Sequence, residues 1–209
     1  MALRNAVMAA LLEGEASGWD LAKGFDSSVA NFWTATPQQL YRELERMERE
    51  GLVAARVVQQ ERRPNKRLFS LTEAGYAALR DYTAAALARP TVIRDELLVK
   101  VQSADVGDIE GVRAAVETQL EWSAAKLARY ERGRAKLLDG RTEEEYFARA
   151  RRVGPYLTLL RGIVFERENL QWCETALKVL RQRGDGTGAG TGADADGRGD
   201  TVEASGRRR

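Results

Sequence analysis

One stretch constrains this chain more than any other: Phe32 to Leu71, FWTATPQQLYRELERMEREGLVAARVVQQERRPNKRLFSL. It reads as one helix followed directly by two short strands joined by a basic turn. Thr36 is the expected N-cap, with Pro37 at the first helical position, where its missing N–H would be unpaired anyway. Leu40, Leu44 and Met47 fall at helical spacing as one apolar stripe, Leu52 lies just beyond the Gly51 stop, and the polar face carries Gln38, Gln39, Tyr41, Arg42, Glu45, Arg46 and Arg49. After Gly51 the run Leu52 to Gln60 is rich in valine. Glu61-Arg62-Arg63-Pro64-Asn65-Lys66-Arg67 then interrupts it, and Leu68 to Leu71 resumes apolar character, which predicts a hairpin.

The elements before this stretch give it a meaning. Leu3, Val7, Ala10 and Leu11 share one face of a first helix that stops near Gly14. A second short helix starts at Ser17 or Gly18, with Trp19, Leu21, Ala22 and Phe25 expected as apolar contacts and Lys23 outside. Helix, helix, loop, helix, hairpin is the order of a winged helix-turn-helix, in which the third helix enters the major groove and the wing follows the backbone. Thr34, Thr36, Gln38, Gln39 and Arg42 are therefore groove candidates, since Gln pairs with adenine and Arg with guanine through two hydrogen bonds. Tyr41 suits either a phosphate contact or packing beside the second helix, because it joins an apolar body to a polar tip. The third helix has three Arg against four Glu, but before Glu43 its only charge is Arg42. In the turn, Arg62, Arg63, Lys66 and Arg67 oppose Glu61 alone, and with Asn65 they form the candidate phosphate-binding wing.

Composition removes other functions. The 209 residues contain no histidine and one cysteine, Cys173, so there is no internal disulfide, no multi-cysteine or histidine-ligated metal centre, and no Ser-His-Asp or Cys-His nucleophile. No phosphate-cradling glycine motif is present, and the abundant carboxylates lie in mixed-charge helical patterns typical of solvated faces. The expectation is a protein that is not an enzyme and uses no cofactor. A formal net charge of +2 does not itself imply a polyanion partner, so the case for nucleic acid rests on where the charges lie. No run approaches the roughly 18 apolar residues of a membrane span. Met1 to Leu12 is too short and too weakly basic for a leader, which leads us to expect a cytoplasmic protein without membrane contact.

Downstream, Thr72 opens a helix expected to run from Glu73 to about Leu87, ended by Arg89-Pro90, and Thr91 to Asp105 is a short amphipathic segment. From Asp108 to Leu138, Ile109, Val112, Val116, Leu120, Leu127, Tyr130 and Leu137 recur at three- and four-residue steps, with Ala124 filling the gap. A second long pattern begins at the Thr142-x-x-Glu145 capping box and passes Phe147, Ala150, Leu157, Leu160, Val164, Leu170, Cys173, Leu177 and Leu180. Gly154-Pro155 should kink or break it. Two such amphipathic helices cannot bury both apolar faces in one hairpin, and a second copy of the chain is the simplest partner. Gly184 to Arg209 lacks the apolar content for a core and is expected to be disordered. The division is a winged helix-turn-helix over 1–88, a connector helix over 89–106, a helical dimerisation and possible effector domain over 107–183, and a tail over 184–209; the fold class is mainly α.

Leu3-Arg4-Asn5-Ala6-Val7, Ser17-Gly18-Trp19-Asp20-Leu21-Ala22, Trp33, Gln39-Leu40-Tyr41-Arg42-Glu43-Leu44, Glu50-Gly51-Leu52-Val53 and Leu71-Thr72-Glu73-Ala74-Gly75 together resemble PadR-type transcriptional regulators. Trp19 stands where that family usually has tyrosine. Leu160-Arg161-Gly162-Ile163 and Gln171-Trp172 are similar to the C-terminal helical region of its larger members. The resemblance implies a homodimer on an inverted-repeat DNA operator, usually a repressor, that releases DNA when a small-molecule effector binds. Trp122, Tyr130, Tyr156 and Trp172 are the aromatics it suggests for such a ligand. The competing reading of the residues is a winged-helix protein-interaction module whose contacts are made by the acidic half of the third helix.

Overall fold

A computed structural model describes residues 2–25, 35–59, 65–87 and 93–187. The expectations for Trp33, Thr34, Arg62, Arg63, Arg89-Pro90 and residues 188–209 lie outside the described residues.

The first part is built on α1 (Ala2–Leu11), α2 (Gly18–Phe25) and α3 (Pro37–Arg49). Ser17 and Asp20 open α2 reciprocally: the Asp20 N–H donates to the Ser17 hydroxyl (3.1 Å), which donates to the Asp20 carboxylate (2.8 Å). Thr36 caps α3 as the sequence suggests, and Gln39 completes a capping box: the Gln39 N–H donates to Thr36 Oγ1 (3.2 Å) and the Thr36 N–H to Gln39 Oε1 (2.9 Å). The helix ends in a Schellman turn. Gly51 takes φ +72°, its N–H donates to the Glu48 carbonyl, and the Leu52 N–H reaches back to Met47.

That turn feeds β2 (Val53–Val58), which pairs antiparallel with β3 (Lys66–Leu71) from Val53 opposite Leu71 to Val58 opposite Lys66. The sequence reading missed β1 (Ala16–Ser17), which pairs with Phe69 and Leu68 and makes the sheet three-stranded, in the order β1-β3-β2. Thr72 caps α4 (Glu73–Ala84), where a Cβ on Gly75 would stand 2.2 Å from the Leu52 carbonyl oxygen, so only glycine admits this approach. α4 stops short of the expected Leu87, which is 95% exposed and has no core to join. One core joins Val7, Met8 and Leu11 of α1, Leu21 of α2, Leu40, Leu44 and Met47 of α3, Val53, Phe69 and Leu79. Trp19, expected among these contacts, is instead 61% exposed with Lys23 over its ring.

The second part is a long helical hairpin. α5 (Glu96–Gln102) leads to α6 (Ile109–Leu138), capped by Asp108 and closed by Asp139 and Gly140 at positive φ. The second long pattern is broken rather than kinked: α7 (Glu143–Arg149) and α8 (Gly154–Thr187) are separate helices, and α8 runs past the expected end at Gly184. α8 returns along α6, joined by Arg167–Glu131, Lys126–Glu166 and Arg181–Glu117. Their interface holds two apolar clusters, one around Val112, Val116, Cys173, Leu177 and Leu180, the other around Tyr130, Leu159 and Ile163. Ser123, fully buried, and Glu166, 3% exposed, interrupt the apolar lining of the same interface.

This corrects two details of the sequence reading. Ser123 lies one heptad from both Val116 and Tyr130, so it takes the inward position assigned to Ala124, which is exposed. On α8 the inward line is Tyr156, Leu159, Ile163, Glu166, Cys173, Leu177 and Leu180, whereas Leu157 and Val164 are exposed. We expect Leu44→Ala to cost about 2–5 kcal/mol in denaturant unfolding, and Val57→Ala, at an exposed strand position, to stay within about 0.5 kcal/mol.

Candidate nucleic-acid interface

Because Leu40, Leu44 and Met47 turn inward, the opposite face of α3 presents Gln38, Tyr41, Arg42 and Glu45, all exposed. Gln38 and Arg42 stand one turn apart on this face. Among the described residues, neither side chain has a hydrogen-bond or ion-pair partner, so both are available for contacts from outside. Thr36 and Gln39 differ from them: the hydroxyl and the amide oxygen are committed to the capping box, and two-point reading of adenine by Gln39 would require the cap to open. Tyr41 combines both readings left open by the sequence. Its ring covers Gly18, where any Cβ would collide with it, while the residue remains 44% exposed.

The wing residues lie beside this helix. Asn65 is exposed, Lys66 Nζ is 2.7 Å from the Asp20 carboxylate of α2, and Arg67 Nη2 is 2.6 Å from Glu48 of α3 while its guanidinium lies over Phe69. A groove of about 710 Å³ runs between α2, α3 and β3, lined among others by Trp19, Asp20, Tyr41, Glu45, Lys66 and Arg67. Sequence reasoning missed Trp19 in its lining, because a tryptophan at helical spacing reads as core, and it missed Asp20 and Glu48 as partners of the wing. In the rest of the acidic half of α3, Glu43 meets Arg4 (3.4 Å) and Arg46 (2.5 Å) and Glu50 meets Arg4 (2.6 Å), while Glu45 is exposed on the groove.

The hydrogen bonds from Lys66 and then Ser17 hold the Asp20 carboxyl below the usual carboxylate range. A group depressed in this way binds fewer protons folded than unfolded, so its contribution to stability is present above the unfolded value and is lost as the pH falls.

The four aromatics suggested for a ligand do not converge. Trp122 is 62% exposed on α6, and Tyr130 is buried with Leu159 and Ile163. Tyr156 is buried with Tyr146 and Phe147, and burial pushes its hydroxyl up from the ordinary tyrosine value. That hydroxyl accepts from Arg134 (3.0 Å) and donates to Glu143 (2.7 Å), whose carboxyl is held low by both. Trp172 lines a groove of about 370 Å³ with Ile93, Leu97, Leu98, Phe165, Lys126 and Asn169. Among the described residues no cluster of His, Cys, Asp or Glu could hold a metal ion, and no helix is long and apolar enough to cross a membrane.

Residues 7–81 match the model of the PadR-like transcriptional regulator family, and residues 93–181 match the C-terminal model of virulence activator alpha. A probable transcriptional regulator of Mycobacterium tuberculosis is 32% identical over 199 residues, covering 88% of this chain and all of that protein. The chain belongs to the PadR family of transcriptional regulators. This PadR-family chain is similar to Bacillus subtilis PadR in complex with operator DNA, with TM-score 0.69, 25% identity and coverage of 86% of this chain and 99% of that one. It is similar also to the Vibrio cholerae virulence activator AphA, with TM-score 0.61, 28% identity and coverage of 87% and 99%. The same Bacillus subtilis protein in complex with p-coumaric acid aligns over 86% of this chain and 95% of that one, with TM-score 0.63 and 24% identity. Members of this family regulate transcription and are not enzymes.

In this PadR-family regulator, Asp20→Asn should lower the melting temperature at pH 7, where Asp20 is ionised, and the gap from wild type should close as the pH falls below about 4. Thermal melts at pH 3 and pH 7 check this; an equal gap at both would remove the Asp20–Lys66 pair as its cause.

Proposed function

We propose that this regulator acts as a homodimeric repressor on an inverted-repeat operator, and that a small-molecule effector releases it. The observation that carries the DNA-reading part is the outward face of α3. Burial of Leu40, Leu44 and Met47 leaves Gln38 and Arg42 exposed, without a partner among the described residues, on the helix that Lys66 and Arg67 of the wing flank. In this reading Gln38 and Arg42 read base edges, Thr34, Thr36 and Gln39 flank them, and Tyr41, Arg62, Arg63, Asn65, Lys66 and Arg67 hold the backbone. On binding, Lys66 and Arg67 exchange Asp20 and Glu48 for phosphates. The competing reading, protein contacts through the acidic half of α3, loses support because Glu43, Glu48 and Glu50 are paired within the chain.

Repression is supported by the name of the Bacillus subtilis relative, a negative transcriptional regulator 26% identical over 178 residues. An effector is supported by that protein's complex with p-coumaric acid. Trp172 is the aromatic best placed for such a ligand, since it lines a groove, whereas Tyr130 and Tyr156 are buried and Trp122 is 62% exposed. Dimerisation through residues 107–183, following a winged-helix part over 1–88 and a connector over 89–106, is supported by the apolar surface left on α8, where Leu157, Val164, Phe165 and Val179 are exposed.

Two experiments test this reading. With DNA selected from a random library, Arg63, Lys66 and Arg67 changed together to Ala should weaken binding to every sequence and make the salt slope shallower by about one unit for each phosphate the wing no longer engages. Arg42→Ala should instead change the preference at one operator position by about 1–3 kcal/mol. If both variants weaken all sequences equally, base reading by Arg42 is wrong. Truncation after Asp105 should give a monomer in sedimentation velocity, and a dimer that survives the cut would place the interface in the winged-helix part.

A further inference from the structure

The winged-helix part and the helical hairpin have separate hydrophobic clusters: one is drawn from residues between Leu3 and Leu79, the other two from residues between Leu97 and Leu180. A polar contact joins the two parts. Arg152 lies between α7 and α8, and its Nη1 donates to the Leu12 carbonyl (2.7 Å) and pairs with the Glu13 carboxylate (3.1 Å), across a separation of 140 residues in the chain. Leu12 directly follows α1. Its carbonyl belongs to the set a helix end leaves without intrahelical partners, and a cation there also meets the negative end of the helix dipole.

Both sides of this contact are anchored. On one, Val7, Met8 and Leu11 fix α1 in the same core as α3, so a displacement of Leu12 carries the reading helix with it. On the other, Tyr146 Oη lies 3.5 Å from the Arg152 carbonyl, and the Tyr146 and Phe147 rings pack on Tyr156, which is bonded to Arg134 of α6 and Glu143 of α7. The break before Gly154-Pro155 leaves 150–153 outside both helices, so Arg152 sits on a short turn held at both ends.

We propose that Arg152 is a positioning residue for DNA binding: it fixes the orientation of each winged-helix part on the dimerisation hairpin and so sets the half-site spacing the dimer accepts. This inference rests on the inverted-repeat dimer proposed above. In a dimer the two reading helices must meet successive major grooves, and each base pair added between half-sites moves one groove by about 3.4 Å and rotates it by about 35°. A join through one guanidinium at the end of α1 resists that displacement without contributing to the contacts of either half-site.

The test uses the full chain, an operator selected in vitro with the wild type, versions with one to three base pairs added or removed between half-sites, and a duplex with a single half-site. Wild type should disfavour each altered spacing by at least about tenfold, whereas Arg152→Ala should discriminate by less than about threefold. Its affinity for the single half-site and its dimer state in sedimentation should stay as in wild type, and Arg152→Lys, which keeps a cation within reach of Leu12, should restore part of the discrimination. An unchanged spacing profile in Arg152→Ala would overturn the positioning role. Equal loss on the half-site and on the full operator would also overturn it, assigning Arg152 to the stability of the winged-helix part alone. A wild type indifferent to spacing would overturn the inverted-repeat reading itself and this inference with it, whereas the other two results leave that reading intact.

Discussion

Leu40, Leu44 and Met47 are each 1% exposed or less, and the geometry of the DNA-binding part follows from their burial against α1 and the sheet. A helix has no freedom to choose what it presents once one stripe is committed, because side chains at i, i+4 and i+7 move together. Burying 40, 44 and 47 therefore turns 38, 41, 42 and 45 outward. The same packing brings Glu43 to the edge of the core, where it is 7% exposed and needs partners; Arg4 of α1 and Arg46 supply them. At the end of the stripe, the left-handed turn at Gly51 reverses the chain, and Leu52 is placed so closely against Gly75 that hairpin and α4 have one arrangement. Reading helix and wing are thus fixed to each other by apolar contacts and two glycines, not by the charges that face outward.

Those charges are arranged so that the free protein hides part of its own cationic surface. Lys66 and Arg67 end within 2.7 Å of Asp20 and Glu48, carboxylates borne by the two helices of the helix-turn-helix. Exposed ion pairs of this kind contribute little to stability, on the order of 0–1 kcal/mol, but they change what binding must displace. A wing whose cations are already paired profits less from a random stretch of phosphates than free cations would, because engaging each phosphate means giving up an internal carboxylate. Gln38 and Arg42, on the adjacent helix face, have no such internal partner among the described residues, so contacts they make from outside displace no carboxylate.

The elements whose signals are local were legible in the sequence. Thr36-Pro37 and Gly51 mark the start and stop of α3, valine-rich runs flank the basic turn, Asp108 and Asp139-Gly140 bracket α6, and the Thr142 capping box opens α7. Gly154-Pro155 marked an interruption without deciding its kind, since a proline at the second position of a new helix and one inside a kinked helix leave the same residues in the sequence. What failed did so where the decision is tertiary. β1 is two residues long and exists because β3 offers an edge to Ala16 and Ser17. Trp19 reads as core by periodicity, yet the fold turns it outward beside Lys23. On α8 two apolar lines run side by side, and periodicity alone does not say which one α6 covers; the sequence reading followed Leu157, Leu160 and Val164, whereas the hairpin buries Tyr156, Leu159 and Ile163. At the interface, Thr36 was legible as the cap, but the return bond by which Gln39 is engaged in it depends on a rotamer that residue type does not fix.

The hairpin's register is the remaining link between the two parts. Packing already resists a slip of α8 on α6 by a heptad, since the inward α6 residues one heptad apart, Val116, Ser123 and Tyr130, differ in size. Glu166 does not tolerate it. Its carboxylate is nearly buried and is met by Lys126 (3.5 Å) and by the Asn169 amide (3.1 Å), while the buried Ser123 hydroxyl accepts from Gln119. A heptad slip would carry Glu166 away from Lys126 and toward an apolar part of the lining, and an unpaired buried carboxylate costs more than the packing of a displaced leucine recovers. The polar pair thus reinforces the alignment that the apolar residues set. With that alignment fixed, so is the position of the α7–α8 turn at the end of the hairpin. Arg152 meets Leu12 and Glu13 from there, which ties the end of α1 to the same end of the hairpin.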